Sequence, residues 1–367
     1  MRFETTRENL LRPIQFASSV VERKQTLPIL SNVLIKLKDN EISVTATDLE
    51  MEIIAKLQVE NGTDGEITIP VRKLLDTCKA LPDEAHISFI VENDKAVIKS
   101  GRTRFRLTTI SAENFPVIET LKSLYSFDMA QNEFKNLLDK TSFSMALQDV
   151  RFYLNGLLLE IKEDSVTAVA TDGHRLALSR LNAETKAPET LHTIIPRKAV
   201  IEIARLLLED ESQVSVTVGE NFFRLEFNQI VFTTKLIDAQ YPNYNNVIPQ
   251  TGENQLIANK EAIKQCLLRT SILSNEKYRG IRVEIENNKL KAQANNPDQE
   301  EAEDEIEVSY TGENLRIGFN VNYLIDAITA VDSNEVLIKF SDANGSAVIA
   351  PADGDQYILY VVMPMRL

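Results

Sequence analysis

The chain has 367 residues and a mass of 41.4 kDa, with 43% hydrophobic and 26% charged residues. That is enough apolar material for two or three domains with their own cores, and it excludes a disordered, collagen-like or low-complexity protein. The 54 acidic residues outnumber 40 basic ones for a net charge of −14, but net charge describes only the far field and does not exclude nucleic acid held on a locally basic concave surface.

The longest uncharged apolar run, Tyr357 to Pro364, is far too short to cross a bilayer. Arg2, Glu4, Arg7 and Glu8 interrupt any apolar core of a signal peptide. A soluble cytoplasmic protein with no membrane partner is expected. Cys78 and Cys266 are single thiols without close partners in sequence, so neither a disulfide framework nor a cysteine-based zinc site is expected, and no cofactor is called for.

A helical pattern opens the chain at Glu8 to Val21, Leu34 to Leu37 reads as strand, and a second helix covers Val71 to Leu81. The order then returns: helix Asn132 to Ser144, strand Leu157 to Ile161, helix Arg197 to Leu208. It returns once more as helix Lys260 to Ser271, strand Ile281 to Ile285 and helix Val321 to Val331. Two landmarks fix the period. Ala46-Thr47-Asp48-Leu49-Glu50, Ala170-Thr171-Asp172-Gly173-His174 and Ala294-Asn295-Asn296-Pro297 are spaced by 124 residues both times. Phe115-Pro116, Tyr241-Pro242 and Met363-Pro364 end the three segments. Three similar α+β domains are predicted, at residues 1–124, 125–250 and 251–367, each built from helix-then-strands twice over.

The repeats differ in charge, at −1, −5 and −8. From Lys95 to Arg106 there are five cations and no anion; from Asp298 to Glu307 there are seven anions and no cation. Each strip alone reads as a solvated face, and the acidic one lacks the spacing and glycine of a calcium loop. As a matched pair at opposite ends, they predict that repeat one of one chain meets repeat three of another, closing a two-fold dimer of six domains.

The second helix of repeat one places Leu74, Cys78 and Leu81 on one stripe and Arg72 and Lys79 on the other side. Repeat two places Val200, Ile203, Ala204 and Leu207 on a stripe and Lys198 and Arg205 opposite, an offset of 126 from the first pair. Repeat three has uncharged Asn322 and Thr329 there. Recurrence points to a shared polyanion. If these helices line a ring whose outer wall is strands, duplex DNA is the natural occupant. No base-reading helix and no aromatic-plus-basic single-strand motif accompanies them, so binding is expected to ignore sequence. Asp172-Gly173-His174-Arg175 is the one segment resembling catalytic chemistry, but no nucleophile motif, phosphate loop or metal spacing goes with it. With three histidines, His86, His174 and His192, a histidine-rich metal centre is excluded, and binding rather than catalysis is expected. A non-encircling peptide-binding adaptor is the alternative.

The runs Thr26-Leu27-Pro28-Ile29-Leu30, Thr47-Asp48-Leu49-Glu50-Met51-Glu52, Gln148-Asp149-Val150-Arg151, Tyr153-Leu154-Asn155-Gly156, Thr171-Asp172-Gly173-His174-Arg175-Leu176, Ile272-Leu273-Ser274-Asn275-Glu276-Lys277 and Tyr360-Val361-Val362-Met363-Pro364-Met365-Arg366-Leu367 carry a further signal. Together they closely resemble the bacterial DNA polymerase III beta subunit, the sliding clamp, across all three repeats. The resemblance implies a ring-shaped homodimer with inner helices and outer antiparallel sheets, encircling double-stranded DNA and tethering the replicative polymerase without catalysis. It implies that Lys24, Arg72, Gln148, Phe152 and Tyr153 touch DNA; Lys79, Lys198 and Arg205 are added from the helix pattern.

For the dimer contact, the resemblance implies Ile272 and Leu273 against Phe105 and Leu107, flanked by Lys73, Arg102 and Arg104 facing Glu300, Glu301, Glu303 and Asp304. It also implies a pocket for short peptides from polymerase, clamp loader and repair proteins. Matching positions are Leu154, Thr171, Gly173, His174, Arg175, Leu176, Pro242, Val247, Ser346, Val361, Val362, Met363, Pro364, Met365 and Arg366. Apolar and methionine side chains there would form an adaptable cleft, with His174, Arg175 and backbone groups orienting the peptide. Asn245-Asn246 stands where many relatives carry a basic residue before Val247, which implies a weaker hold on an acidic or glutamine-containing peptide end.

Overall fold

The computed structural model describes residues 1–21, 27–118, 122–249, 254–342, 344–354 and 357–366, so Lys24 lies outside the described residues. Among these there are six α-helices: α1 (Arg7–Val20), α2 (Val71–Ala80), α3 (Gln131–Asp139), α4 (Arg197–Leu206), α5 (Lys260–Ser271) and α6 (Val321–Ala330). Short polar side chains start three of them. Thr6 Oγ1 accepts from the Asn9 amide at 3.3 Å, Asn259 Oδ1 from that of Ala262 at 3.0 Å and Asn320 Oδ1 from that of Asn322 at 3.0 Å. Each satisfies a first-turn amide that has no partner within its helix.

One helix is shorter than its sequence pattern. The periodicity predicts helix from Asn132 to Ser144, but α3 stops at Asp139 and Ser142–Ser144 forms a separate 3-10 turn. Thr141 turns its Oγ1 back onto the Leu137 carbonyl at 2.7 Å, and Lys140 Nζ reaches away to the Ala330 carbonyl and the Asp332 carboxylate. Side-chain bonds of this kind compete with continuation of the helix.

The strands are joined largely by tight hairpins. Asp39-Asn40, Asn93-Asp94, Asn228-Gln229 and Asn287-Asn288 have positive φ at both residues. That mirror-image turn matches the twist of the flanking strands, and Asn and Asp tolerate it better than most non-glycine residues.

The chain packs as two compact units, Met1–Asn132 with Ile201–Leu236, and Glu133–Val200 with Ile237–Leu367. The first unit holds two antiparallel sheets. Its five-stranded sheet runs Glu60–Thr63, Arg2–Thr6, His86–Glu92, Lys95–Ser100, Thr103–Thr108. Its eight-stranded sheet runs Ser123–Ala130, Gln213–Gly219, Phe222–Phe227, Ile230–Lys235, Met51–Gln58, Glu41–Thr47, Asn32–Lys38, Gly65–Pro70. Helix α1 packs on α2 and on Glu41–Thr47 and Met51–Gln58. Alternate residues of each strand point inward, as in Val33, Ile35 and Leu37, all buried.

The second unit also has two sheets. Nine strands run Leu191–Pro196, Gly156–Lys162, Ser165–Thr171, Arg175–Asn182, Ile358–Val362, Ala347–Pro351, Glu335–Phe340, Asn254–Asn259, Ser309–Thr311. Four run Glu301–Glu307, Lys289–Asn295, Gly280–Glu286, Leu315–Asn320. A continuous core joins Leu256, Ile263, Leu267, Val283, Phe319, Leu324, Ile338 and Tyr360 under α5 and α6.

Both large sheets cross a repeat boundary. In the eight-stranded sheet Ile230–Lys235 pairs with Met51–Gln58, with Phe232 opposite Ile53; in the nine-stranded sheet Ile358–Val362 pairs with Arg175–Asn182, with Tyr360 opposite Ala177. These are equivalent strands of successive repeats. Among the described residues, the remaining equivalents, Thr103–Thr108 and Glu301–Glu307, have no such neighbour and form open sheet edges.

Candidate functional site

The repeated Thr-Asp landmark is one turn built twice. In repeat one, Thr47 Oγ1 donates to the Met51 carbonyl at 2.7 Å and accepts from the Leu49 amide at 3.0 Å, while Asp48 Oδ1 accepts from the amides of Glu50 and Met51. In repeat two, Thr171 Oγ1 donates to the Arg175 carbonyl at 2.6 Å and accepts from the Gly173 amide at 3.0 Å, and Asp172 Oδ1 accepts from the amides of His174 and Arg175. The third position has positive φ in both, 78° at Leu49 and 86° at Gly173. In repeat two glycine adopts this φ without strain, and a Cβ there would lie 2.8 Å from Arg151 Nη2, so the guanidinium would have to shift.

Arg151 belongs to the neighbouring loop. Asp149 accepts from its amide, Nε and Nη2 at 2.8, 3.0 and 2.9 Å, and this partner holds the Asp149 carboxyl down at about 2. Asn155 fastens the same loop through the amide and carbonyl of Asp149, both at 2.8 Å. The tied loop leaves Leu147, Val150 and Phe152 exposed at 77, 88 and 73%. Gln148 is also exposed, with φ 59°. Tyr153 is half-buried and sets its ring edge-on to Tyr241 at 6.1 Å.

Under these loops lies an apolar cluster of Leu158, Val169, Leu176, Ile194, Tyr244 and Val361, with Tyr153, Ile237, Tyr241 and Ile248 packed against it. Of the predicted pocket residues it brings together Leu176 and Val361. The Met363 amide donates to the His174 carbonyl at 2.9 Å, which fixes Met363 beside the Thr171–Arg175 turn, and the Met365 amide donates to the Gly318 carbonyl at 2.7 Å, which bridges Met365 to strand Leu315–Asn320. Pro242, Val247, Met363, His174 and Arg366 are exposed, Ser346 and Thr171 half-buried, and Leu154 buried.

Val362 stands differently from the expectation. Its side chain joins the opposite core with Tyr360, Ala347 and Ile349, because consecutive strand residues point to opposite faces and Val361 already takes the cluster side. Arg175 is also engaged. Its Nε meets Asp172 at 3.1 Å, its Nη1 meets Asp326 at 2.6 Å and its Nη2 donates to the Phe143 carbonyl at 2.6 Å, with the guanidinium 4.4 Å from the centre of the Tyr323 ring. It is a structural hub of the site rather than an open donor. Leu158, Val169, Ile194 and Tyr244 were not singled out by sequence; the apolar run Leu157–Ile161 was the available signal.

On α2, Leu74 and Cys78 are buried and Arg72 and Lys79 are exposed. On α4, Val200 and Ile203 are buried and Lys198 is half-buried; Arg205 is exposed but pairs with Glu202 at 2.9 Å. Burial pushes the thiols of Cys78 and Cys266 up to about 12, so neither is a nucleophile.

The basic and acidic strips end in the two open sheet edges. Along Thr103–Thr108, Arg104 and Arg106 are exposed and alternate with half-buried Phe105 and Leu107; Arg102 and Lys73 are also exposed. Along Glu301–Glu307 every odd residue is an exposed glutamate. Ile272, just after α5, is 74% exposed, and Leu273 is half-buried. Part of the acidic strip is already paired within the chain, Lys291 with Glu303 at 2.8 Å, Lys289 with Glu305 at 2.7 Å and Arg269 with Asp304 at 2.5 Å, while Glu300 accepts from Asn296.

Three family models match the chain: DNA polymerase III beta subunit, N-terminal domain, over residues 1–119, central domain over 128–243 and C-terminal domain over 245–366. The beta sliding clamp of Pseudomonas aeruginosa is 46% identical over the whole of both chains, and that of Escherichia coli is 41% identical over the same span. Among solved structures, the DNA polymerase III subunit beta from Pseudomonas aeruginosa aligns with a TM-score of 0.97 at 46% identity. A sliding clamp from Bartonella birtlesii bound to griselimycin aligns at 0.96 and 36% identity; both cover 100% of both chains.

Proposed function

The chain belongs to the DNA polymerase III beta subunit family, the beta sliding clamps, and we propose on that premise how its residues serve a non-catalytic processivity factor that encircles duplex DNA and tethers the replicative polymerase. The observation that carries the proposal is the pair of open edges. Within the chain, each equivalent of Thr103–Thr108 pairs antiparallel with an equivalent of Glu301–Glu307. Among the described residues, each strand of the leftover pair has a neighbour on one side only, and the two carry opposite charge. Pairing in trans between two copies satisfies both edges, which would otherwise template aggregation. It also covers Ile272, Leu273, Phe105 and Leu107, with Lys73, Arg102 and Arg104 meeting Glu300, Glu301, Glu303 and Asp304. Made twice, it closes a homodimer of six domains, divided at 1–124, 125–250 and 251–367.

In that ring, Arg72, Lys79, Lys198 and Arg205 face the duplex with Gln148, Phe152 and Tyr153. The contacts are few and are weakened by local pairs such as Arg205 with Glu202. Weak contact is what a sliding tether requires, since a closed ring cannot leave sideways while individual phosphate contacts break. Partner peptides seat on the apolar cluster around Leu176 and Val361, rimmed by Pro242, Val247 and Met363, and this reading assigns griselimycin, bound by the Bartonella birtlesii relative, to the same groove as its probe. Retention tests the reading: after loading, the protein should persist on nicked circular DNA and run off linear DNA with free ends. Equal loss from both would refute topological tethering.

A further inference from the structure

Residues 239–248, which carry Pro242 and Val247 at the rim of the proposed groove, are held mainly by side chains, with Tyr241, Tyr244 and Ile248 packed at the apolar cluster. Among the described residues, no backbone hydrogen bond joins residues 239–248 to a strand; the last such bond before them is from the Ile237 amide to the Ile194 carbonyl. Tyr244 is buried in the apolar cluster, and its hydroxyl donates to Glu160 Oε1 at 3.3 Å. Glu160, on Gly156–Lys162, is itself fixed: Lys162 Nζ lies 2.7 Å from Oε1, and His192 Nε2, from the residue directly opposite on the neighbouring strand, lies 2.9 Å from Oε2. These partners outweigh burial and keep the Glu160 carboxyl below its ordinary range, while burial raises the Tyr244 hydroxyl to about 12. An ionised acceptor thus faces a protonated donor at neutral pH. Tyr244 is coupled directly to the rim, because the Val247 amide donates to the Tyr244 carbonyl at 3.0 Å.

We propose that Glu160 is a positioning residue of the peptide groove: by accepting from Tyr244 it holds the wall bearing Pro242 and Val247 in its ligand-receiving place. This rests on the groove reading above. The acidic residue touches no ligand, and its work is done from beneath the wall.

The test uses the full chain titrated with griselimycin by calorimetry, with melting temperature measured in parallel. Tyr244→Phe keeps the ring in the cluster and removes only the donor, so affinity should fall roughly five- to tenfold at nearly unchanged melting temperature. Glu160→Ala should fall similarly, whereas Glu160→Gln, whose amide oxygen still accepts, should restore most of the affinity. Wild-type affinity in Tyr244→Phe overturns the proposal, as does a Glu160→Gln variant no better than Glu160→Ala. Met363→Ala separates the two readings. If it weakens binding while Tyr244→Phe does not, the groove stands and the role of Glu160 falls. If wild type binds no griselimycin, or Met363→Ala leaves its affinity unchanged, the groove reading fails and takes this inference with it.

Discussion

Replacing exposed Ile272 and half-buried Leu273 together by aspartate probes the dimer contact, with Ile272→Asp alone as the variant that spares the fold. Ile272 is 74% exposed in the single chain, so a carboxylate there is solvated in the monomer and costs folding little. In the proposed dimer the same side chain is covered. Losing the burial of one such apolar side chain costs about 2 kcal/mol, and a covered carboxylate without a partner adds at least about 2 kcal/mol more. The contact occurs twice in the closed dimer, so the total exceeds about 8 kcal/mol, on the order of a millionfold in dissociation constant. Sedimentation equilibrium is the assay. The variant should behave as a 41.4 kDa species, with the thermal transition of an intact monomer, where wild type has twice that mass. A variant that stays dimeric at micromolar concentration would refute the placement of these residues in the contact.

Other outcomes follow from particular contacts. Gly173→Ala forces a Cβ toward Arg151 Nη2 at positive φ; it should cost about 1–2 kcal/mol of stability and weaken griselimycin binding, read by thermal melting and calorimetry. Asp149 has its carboxyl lowered to about 2 from an ordinary 3.8 by Arg151. Its stabilising share is therefore complete above about pH 4 and disappears as pH falls toward 2; carboxyl-carbon NMR should show the depressed midpoint, and Arg151→Ala should raise it part of the way, because the residue 151 amide still donates to the carboxylate. Arg72→Ala and Lys79→Ala should each reduce the slope of log affinity for duplex DNA against log salt by about 0.9, measured by fluorescence anisotropy; an unchanged slope removes that residue from the DNA face.

Much of the fold is legible in the chain because repeats are legible. The offset of 124 between Thr47-Asp48 and Thr171-Asp172 appears in three dimensions as the same set of side-chain bonds, since Thr and Asp at those positions close one turn by local chemistry alone. Helix stripes such as Leu74 with Cys78 are equally local. What sequence does not show depends on partners far away in the chain. Nothing near Met51 says that its strand pairs with residues 230–235, and so the exchange of strands across repeat boundaries was hidden. The charges of Glu303 and Asp304 look available until Lys291 and Arg269 are placed beside them. Arg205 looks unpaired until Glu202 is counted at i−3 on the same helix, a signal that was present and unused. Val361 and Val362 match one family motif together, but strand geometry sends them into different cores.

Closure of the ring is open to one direct measurement. Single cysteines introduced at Arg104 and Glu303, bridged by a short bis-maleimide while Cys78 and Cys266 stay buried, should crosslink two copies at both contacts. Loaded onto a covalently closed DNA circle first and bridged there afterwards, the crosslinked dimer should remain linked to the DNA in hot detergent and come free only when the circle is cut. Release from the uncut circle, with both crosslinks formed, would contradict enclosure of the duplex.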